Sequence, residues 1–116
     1  TEDGYLYVVD RTKNMINRGG EKIWTGDVEE ALRSVPGVED ACVVGLPDPL
    51  FGEVPGALLV PQSGVKLDID EVTEAMRNKI ASFEIPDVML SVEALPLSRA
   101  LKVDKDAAKD LLQAIR

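Results

Sequence analysis

The chain has 116 residues, of which 45% are apolar and 29% are charged, a balance typical of a folded globular domain. Acidic residues outnumber basic ones by 21 to 13, and the net charge of −8 argues against nucleic acid or an anionic membrane as the main partner. Histidine is absent and Cys42 is the only cysteine, so we predict no metal site and no intrachain disulfide. No apolar run approaches the roughly 20 residues of a membrane helix. The single cysteine fits a reducing cytosol, so we expect a cytoplasmic protein, and the setting of Cys42 in an apolar stretch predicts an inert position in the core.

The first half of the chain predicts strands around one helix. Residues 4–9 predict a strand, and residues 15–24, with Gly19-Gly20 between two short apolar ends, predict a hairpin or a tight loop. Thr25 is expected to cap a helix that ends before Pro36. Two more strands are predicted at 38–46 and 54–60, with 47–53 as a loop because two prolines and a glycine disfavour regular structure.

The second half predicts a helix, a strand and a final helix. Asp68 and Glu71 resemble a capping box before a helix, and residues 87–94 alternate as a strand does. Asp104 is expected to begin the last helix, with a buried stripe of Ala108, Leu111, Leu112 and Ile115. This order predicts an α+β fold in which a small β-sheet is covered by two or three helices, a fold that specifies no function by itself.

Three stretches of the sequence together resemble one family. Residues 3–23 ("DGYLYVVDRTKNMINRGGEKI"), 35–53 ("VPGVEDACVVGLPDPLFGE") and 94–105 ("ALPLSRALKVDK") are similar to the C-terminal domain of adenylate-forming enzymes. This superfamily contains acyl-CoA synthetases, adenylation domains of peptide synthetases, and luciferases. The resemblance implies the mobile lid of a larger enzyme: residues 1–13 would be a β-strand segment and hinge, and residues 14–116 the lid. The large N-terminal domain, with its phosphate loop, acyl pocket and ribose-binding Asp, would then be absent from this chain, and the chain alone is expected to be inactive.

The resemblance implies one catalytic residue. Enzymes of this family join a carboxylate to ATP, with Mg²⁺, and then transfer the acyl group to a thiol such as that of CoA. Lys102 matches the family's catalytic lysine, a cation that offsets the charge building on the phosphoryl oxygens. Leu101 stands where the family usually has glycine, and Lys105 is the local competitor for the role. The alternative for Lys102 is an ordinary solvated lysine on a loop.

Further residues match the nucleotide, hinge and thiol sites of the family. Arg11 matches an arginine that contacts the ribose, and Lys13 falls on the hinge beside the nucleotide; the alternative for both is a solvated loop charge. Gly19 and Gly20 match a loop that lines the pantetheine tunnel, although a plain hairpin turn would have the same sequence. Phe51 and Phe83 keep the aromatic character of positions that hold CoA in some relatives.

These matches predict the lid of an ATP-dependent acid–thiol ligase, an acyl-CoA synthetase. Its expected partners are the N-terminal domain of the same enzyme, a small carboxylic acid, ATP and CoA. Glu84 and Asp87 stand where the family often has lysines, and such acids would repel the phosphates of CoA. Two alternatives therefore stay open: an adenylation domain that loads a carrier protein's phosphopantetheine arm, and a non-catalytic α+β binding module.

Overall fold

A computed structural model describes residues 15–97 and 103–115 of the chain. The predicted strand at 4–9 and the predicted functional residues Arg11, Lys13 and Lys102 lie outside these ranges, as does Leu101. In chain order the elements are β1 (Met15–Arg18), β2 (Glu21–Trp24), α1 (Thr25–Arg33), β3 (Val38–Asp48), β4 (Gly52–Pro61), α2 (Ile69–Arg77), a 3₁₀ turn (Ser82–Glu84), β5 (Val88–Ser91) and α3 (Lys105–Ile115).

The five strands form one sheet around the long β3–β4 pair. The order is β2–β1–β4–β3 with antiparallel neighbours, and β5 runs parallel to β4 along Gly56–Leu59. Ten residue pairs join β3 to β4, from Val38–Pro61 to Asp48–Gly52. The β1–β2 hairpin attaches at one end of this pair, where Arg18 is opposite Gly52.

Helices cover both faces of the sheet. Successive residues of a strand point to opposite faces, so β3 contributes Ala41 and Val43 to one core and Cys42 and Val44 to the other. Helices α1 and α2 bury Val28, Leu32, Val72 and Met76 in the first core, and α3 buries Ala108 and Leu112 in the second. The predicted α+β fold, a small sheet covered by helices, is confirmed.

Cys42 lies in the second core and is 1% exposed. Burial raises the pKa of its thiol to about 11, against an opposing effect of the Lys105 cation. The thiol therefore stays protonated at neutral pH, which agrees with the expected inert position in the core.

The predicted hairpin and the Asp68 half of the predicted capping box are confirmed by their hydrogen bonds. Residues 15–24 form a hairpin with Gly19 and Gly20 as its two turn residues. Asp68 caps α2, since its Oδ1 accepts hydrogen bonds from the backbone N–H groups of Asp70 (2.9 Å) and Glu71 (3.4 Å).

The predicted cap of α1 is wrong. Trp24 is the N-cap residue, and Thr25 is the first residue of the helix. The chain passes from β2 directly into α1, and Thr25 is 1% exposed with no hydrogen-bond partner for its hydroxyl in the described part of the chain. Its side chain therefore serves as core volume and leaves the first turn of the helix uncapped.

The predicted loop at 47–53 is too long, because β3 continues to Asp48 and β4 begins at Gly52. Val43 directs its N–H and C=O groups to the side chains of Glu29 and Lys105, away from β4. Backbone direction repeats every second residue, so Pro47 also turns its nitrogen outward, where the missing N–H costs no bond to β4.

The stripe predicted for α3 is half right. Ala108 and Leu112 are fully buried, but Leu111 is 43% and Ile115 52% exposed. The sheet covers only the residues spaced four apart, so the apolar face of α3 is wider than the surface it packs on.

We expect Leu112→Ala to lower the free energy of unfolding of the chain by about 2–5 kcal/mol, because it leaves a cavity between α3 and the sheet. Leu111→Ala removes the same atoms from an exposed position and should cost less than about 1 kcal/mol. Urea unfolding followed by circular dichroism measures both. Equal losses would contradict the packing of α3.

Candidate functional site: a cleft beside the glycine turn

Three turns meet around one open cleft. The cleft has a volume of about 320 Å³ and is lined by Arg18, Gly19, Glu21, Phe51, Ser82 and Phe83. These residues come from the β1–β2 turn, the β3–β4 turn and the 3₁₀ turn. The structure therefore brings Gly19, Phe51 and Phe83 together, although the sequence separates them by more than 60 residues, and Gly20 follows in the same turn.

Both turn glycines have backbone angles that other residues rarely adopt. Their φ values are +56° at Gly19 and +96° at Gly20, as a two-residue type I′ turn requires. Asn17 supports the turn, since its Oδ1 accepts a hydrogen bond of 2.9 Å from the N–H of Gly20. A Cβ on Gly19 would lie 3.1 Å from Cδ1 of Phe51, whereas one on Gly20 would meet no atom within 4 Å. Gly20 thus presents bare backbone to open space.

Phe51 is held against this turn through its backbone. Oδ2 of Asp48 accepts hydrogen bonds from the N–H groups of Leu50 (3.0 Å) and Phe51 (2.9 Å), which closes a tight turn after β3. The carbonyl of Phe51 accepts a 2.8 Å hydrogen bond from the N–H of Gly19. The ring is 37% exposed, so an apolar surface remains open beside the glycine turn.

Arg18 is a residue of the cleft that sequence reasoning missed. Its Cζ lies 4.7 Å from the centroid of the Phe51 ring, a cation–π contact. Its Nη1 donates to the carbonyl of Phe83 at 3.1 Å and lies 3.4 Å from Oδ1 of Asp87. Arg18 is the cation among the residues that line the cleft. Its position directly before Gly19-Gly20 was the feature of the sequence that could have identified it as a residue of the site.

Glu84 and Asp87, the two acids expected to repel the phosphates of CoA, both have partners within the domain. Asp87 pairs with Arg18, and Oε1 of Glu84 accepts a 3.0 Å hydrogen bond from the backbone N–H of Ala81. A ligand phosphate at the cleft would therefore compete with Asp87 for Arg18. The expected repulsion is partly offset, but not removed.

Lys105, the local competitor of Lys102, has a different environment. Its Nζ donates to Oε2 of Glu29 at 3.1 Å and to the carbonyl of Val43 at 3.0 Å. Lys105 is not among the residues that line the cleft. Its ammonium group is engaged in contacts within the domain.

The chain on either side of residues 98–102 is well anchored. Leu97 and Val103 form an isolated antiparallel bridge, and the N–H of Asp104 donates to the carbonyl of Pro96 at 2.8 Å. Oδ1 of Asp104 then caps α3 by accepting from the N–H of Ala107 at 3.0 Å. Lys102 itself lies outside the described residues.

Two other kinds of feature are absent from residues 15–97 and 103–115. No group of three or more Cys, Asp or Glu side chains there could hold a metal ion. None of the helices in that part of the chain has the length and apolar character needed to cross a membrane.

Comparison with known proteins assigns the family. Residues 27–102 match the family described as the AMP-binding enzyme C-terminal domain. The chain belongs to this family. The resemblance seen in the sequence is thereby confirmed.

Two relatives of this domain are named as a CoA synthase and a CoA ligase. Feruloyl-CoA synthase of an Amycolatopsis species is 42% identical over 103 residues, which are 89% of this chain and 21% of that protein. 4-Hydroxybutyrate–CoA ligase 2 of Metallosphaera sedula is 40% identical over 103 residues, covering 89% of this chain and 19% of that protein. The chain therefore spans about a fifth of the length of the curated relatives it matches.

A solved structure has the same fold. The fatty acyl CoA synthetase of Mycobacterium tuberculosis superposes with a TM-score of 0.81 at 31% identity, over 98% of this chain and 22% of that one. The small sheet covered by helices is thus the architecture of a domain found within much longer enzymes of this family.

Proposed function

We propose that the chain is the C-terminal lid of an ATP-dependent acid–thiol ligase, an acyl-CoA synthetase. The observation that carries the proposal is the cleft in which the glycine turn, Phe51, Phe83 and Arg18 come together, in a domain of the AMP-binding enzyme family. Residues 1–13 would contain the hinge to a large N-terminal domain. ATP with its Mg²⁺, and CoA, would be bound mainly together with that domain.

In the first half-reaction a substrate carboxylate oxygen attacks the α-phosphorus of ATP. A new P–O bond forms, the bond to the pyrophosphate oxygen breaks, and an acyl-adenylate results. Lys102 would hold its ammonium charge against the phosphoryl oxygens, Arg11 would bind the ribose, and Lys13 would serve the hinge and the nucleotide. The engagement of Lys105 with Glu29 and Val43 supports Lys102 as the lysine that acts.

In the second half-reaction the thiol of CoA attacks the acyl carbonyl carbon. A C–S bond forms, the thiol gives up its proton, and the C–O bond to AMP breaks. Gly19 and Gly20 would line the path of the pantetheine arm, and Phe51 and Phe83 would contact CoA. The open space beside Gly20 supports this role, because the backbone there can approach a ligand closely.

Arg18 would contribute to acceptor recognition. Its guanidinium group is already stacked on Phe51, so it would meet an acceptor phosphate without losing side-chain freedom. The acids beside the cleft favour the second candidate, a domain that loads a carrier protein, because the phosphopantetheine arm of a carrier has fewer phosphates than free CoA.

We expect Lys102→Ala in the full-length enzyme to lower the rate of adenylate formation by about 100-fold or more, because it removes charge stabilisation from the transition state. Thioester formation from supplied acyl-adenylate should be spared. Pyrophosphate exchange measures the first step and thioester release the second. Equal loss in both steps would contradict the role of Lys102, and exchange by residues 1–116 alone would contradict the expected inactivity of the isolated chain.

We expect Gly20→Val to lower the rate of thioester formation by about tenfold or more while adenylate formation continues, because a side chain there would enter the pantetheine path. Gly64→Val is the matched control. Gly64 also has a positive φ (+78°) and no neighbouring atom within 4 Å of a built Cβ, but it follows the opposite end of β4. Both variants carry similar backbone strain. A slower thioester step with Gly20→Val but not with Gly64→Val therefore supports a ligand path at Gly20, whereas equal slowing in both variants would mean that Gly20 serves only the turn.

We expect Arg18→Gln to raise the KM for CoA about tenfold, the effect of losing one charge-assisted hydrogen bond, with adenylate formation unchanged. Steady-state kinetics with CoA and with pantetheine, which lacks the phosphates, measures the KM for each acceptor. A rise in KM for CoA alone would indicate lost charge, and an equal rise for both would indicate a changed shape of the cleft. Arg77→Gln, at an exposed ion pair on α2, is the control. An unchanged KM for CoA would remove Arg18 from acceptor binding, and a strong preference for phosphopantetheinylated carrier over free CoA would favour the second candidate.

A further inference from the structure

The ion pair of Glu29 and Lys105 connects α3 to α1 and β3, which lie far from it in the chain. Lys105 belongs to the first turn of α3, Glu29 lies in α1, and the two are 76 residues apart in sequence. Oε2 of Glu29 accepts from Nζ of Lys105 at 3.1 Å and from the N–H of Val43 at 2.8 Å. Nζ of Lys105 also donates to the carbonyl of Val43 at 3.0 Å.

This pair closes the outer edge of β3. Both backbone groups of Val43 point away from β4, and an adjacent strand would normally satisfy them. The carboxylate of Glu29 and the ammonium group of Lys105 supply the acceptor and the donor instead. The side chains of Glu29 and Lys105 are only 15% and 30% exposed, so the contact is screened less than a surface ion pair.

The pair also fixes the chain that leads into α3. The next buried contacts of this helix, Ala108 and Leu112, come one and two turns after Lys105. Val103 and Asp104, directly before it, are tied back to Leu97 and Pro96. Without the Glu29–Lys105 pair, this first turn would keep those ties to Leu97 and Pro96 but would lose its hydrogen bonds to α1 and β3.

We propose that Glu29 and Lys105 are positioning residues for adenylate formation: they set the start of α3, and through it the place of Lys102, one residue before Val103. The inference rests on the proposed function, because it takes Lys102 as the acting lysine. A shift of about 1 Å in a catalytic group can cost up to about 100-fold in rate, so a loosened first turn would be felt in the chemistry. The cleft beside Gly19 shares no lining residue with this contact, so thioester formation should not depend on it in the same way.

The test uses the full-length enzyme with Lys105→Met, which keeps the length of the side chain and removes its charge. We expect pyrophosphate exchange to fall about tenfold or more, through kcat rather than the KM for ATP, with thioester formation from supplied acyl-adenylate changed less than about twofold. Lys105→Arg should restore most of the exchange rate, because a guanidinium group can also donate to both Glu29 and Val43. Lys109→Met is the matched control. Lys109 lies one turn later on α3 and has no side-chain hydrogen bond or ion pair in the described structure.

A second variant covers a failure of Lys105→Met to fold. Glu29→Gln keeps an acceptor for the N–H of Val43 and should give the same selective loss. If the two residues act as one unit, the double variant should lose no more than the larger single loss. Additive losses, equal loss in both half-reactions, or unchanged exchange would overturn the proposal.

Lys102→Ala, measured in parallel, separates this inference from the proposed function. A selective loss with Lys102→Ala but none with Lys105→Met would refute the positioning role and leave the ligase lid intact. If Lys102→Ala itself shows no selective loss, the proposed function fails first.

Discussion

The antiparallel pairing of β3 with β4 is the interaction on which the rest of this domain depends. Its central residue pairs, from Ala41–Leu59 to Leu46–Val54, are apolar on both faces, so neither face can be left to water and a helical layer is required on each side. Helices α1 and α2 cover the face of Val43, and α3 covers the face of Val44. The same ladder gives the hairpin its attachment point and β5 its neighbour. The turns that line the cleft are thus all attached to this one ladder.

The sequence predicts the parts of this fold that local rules control. Asp68 caps α2 because a short acidic side chain can reach the first free N–H groups, and two adjacent glycines accept the positive φ of a hairpin turn. Thr25, Pro47 and Leu111 follow the same rules but are decided by tertiary context. Thr25 is drawn inward by the core, Pro47 faces the outer edge of the sheet, and Leu111 lies beyond the width of the surface that α3 covers.

In the candidate site, too, the sequence identifies some residues, and others are recognised only from the fold. The resemblance pointed to Gly19, Phe51 and Phe83, and the structure brings them to one cleft. No pattern in the sequence predicts that three turns, each 32 residues from the next, should meet. Arg18 carries no motif of its own and gains its interest only from the Phe51 ring and Asp87. Glu29 and Lys105 are likewise ordinary helix charges until a separation of 76 residues is closed by the fold.

The function proposed for this domain, a lid that serves two reactions, would need two working surfaces whose separation stays fixed. The two proposed surfaces, the start of α3 and the cleft, are both attached to β3. The Glu29–Lys105 pair bonds to Val43 in the middle of the strand, and Asp48 at its end holds the turn that carries Phe51. The five residue steps from Val43 to Asp48 span about 17 Å of stiff, fully paired backbone. Thermal motion cannot bring such surfaces together, so one active centre can meet both only if the domain turns as a body. Under the proposed function, rotation of the whole domain therefore fits this architecture better than internal rearrangement, which the paired strands resist.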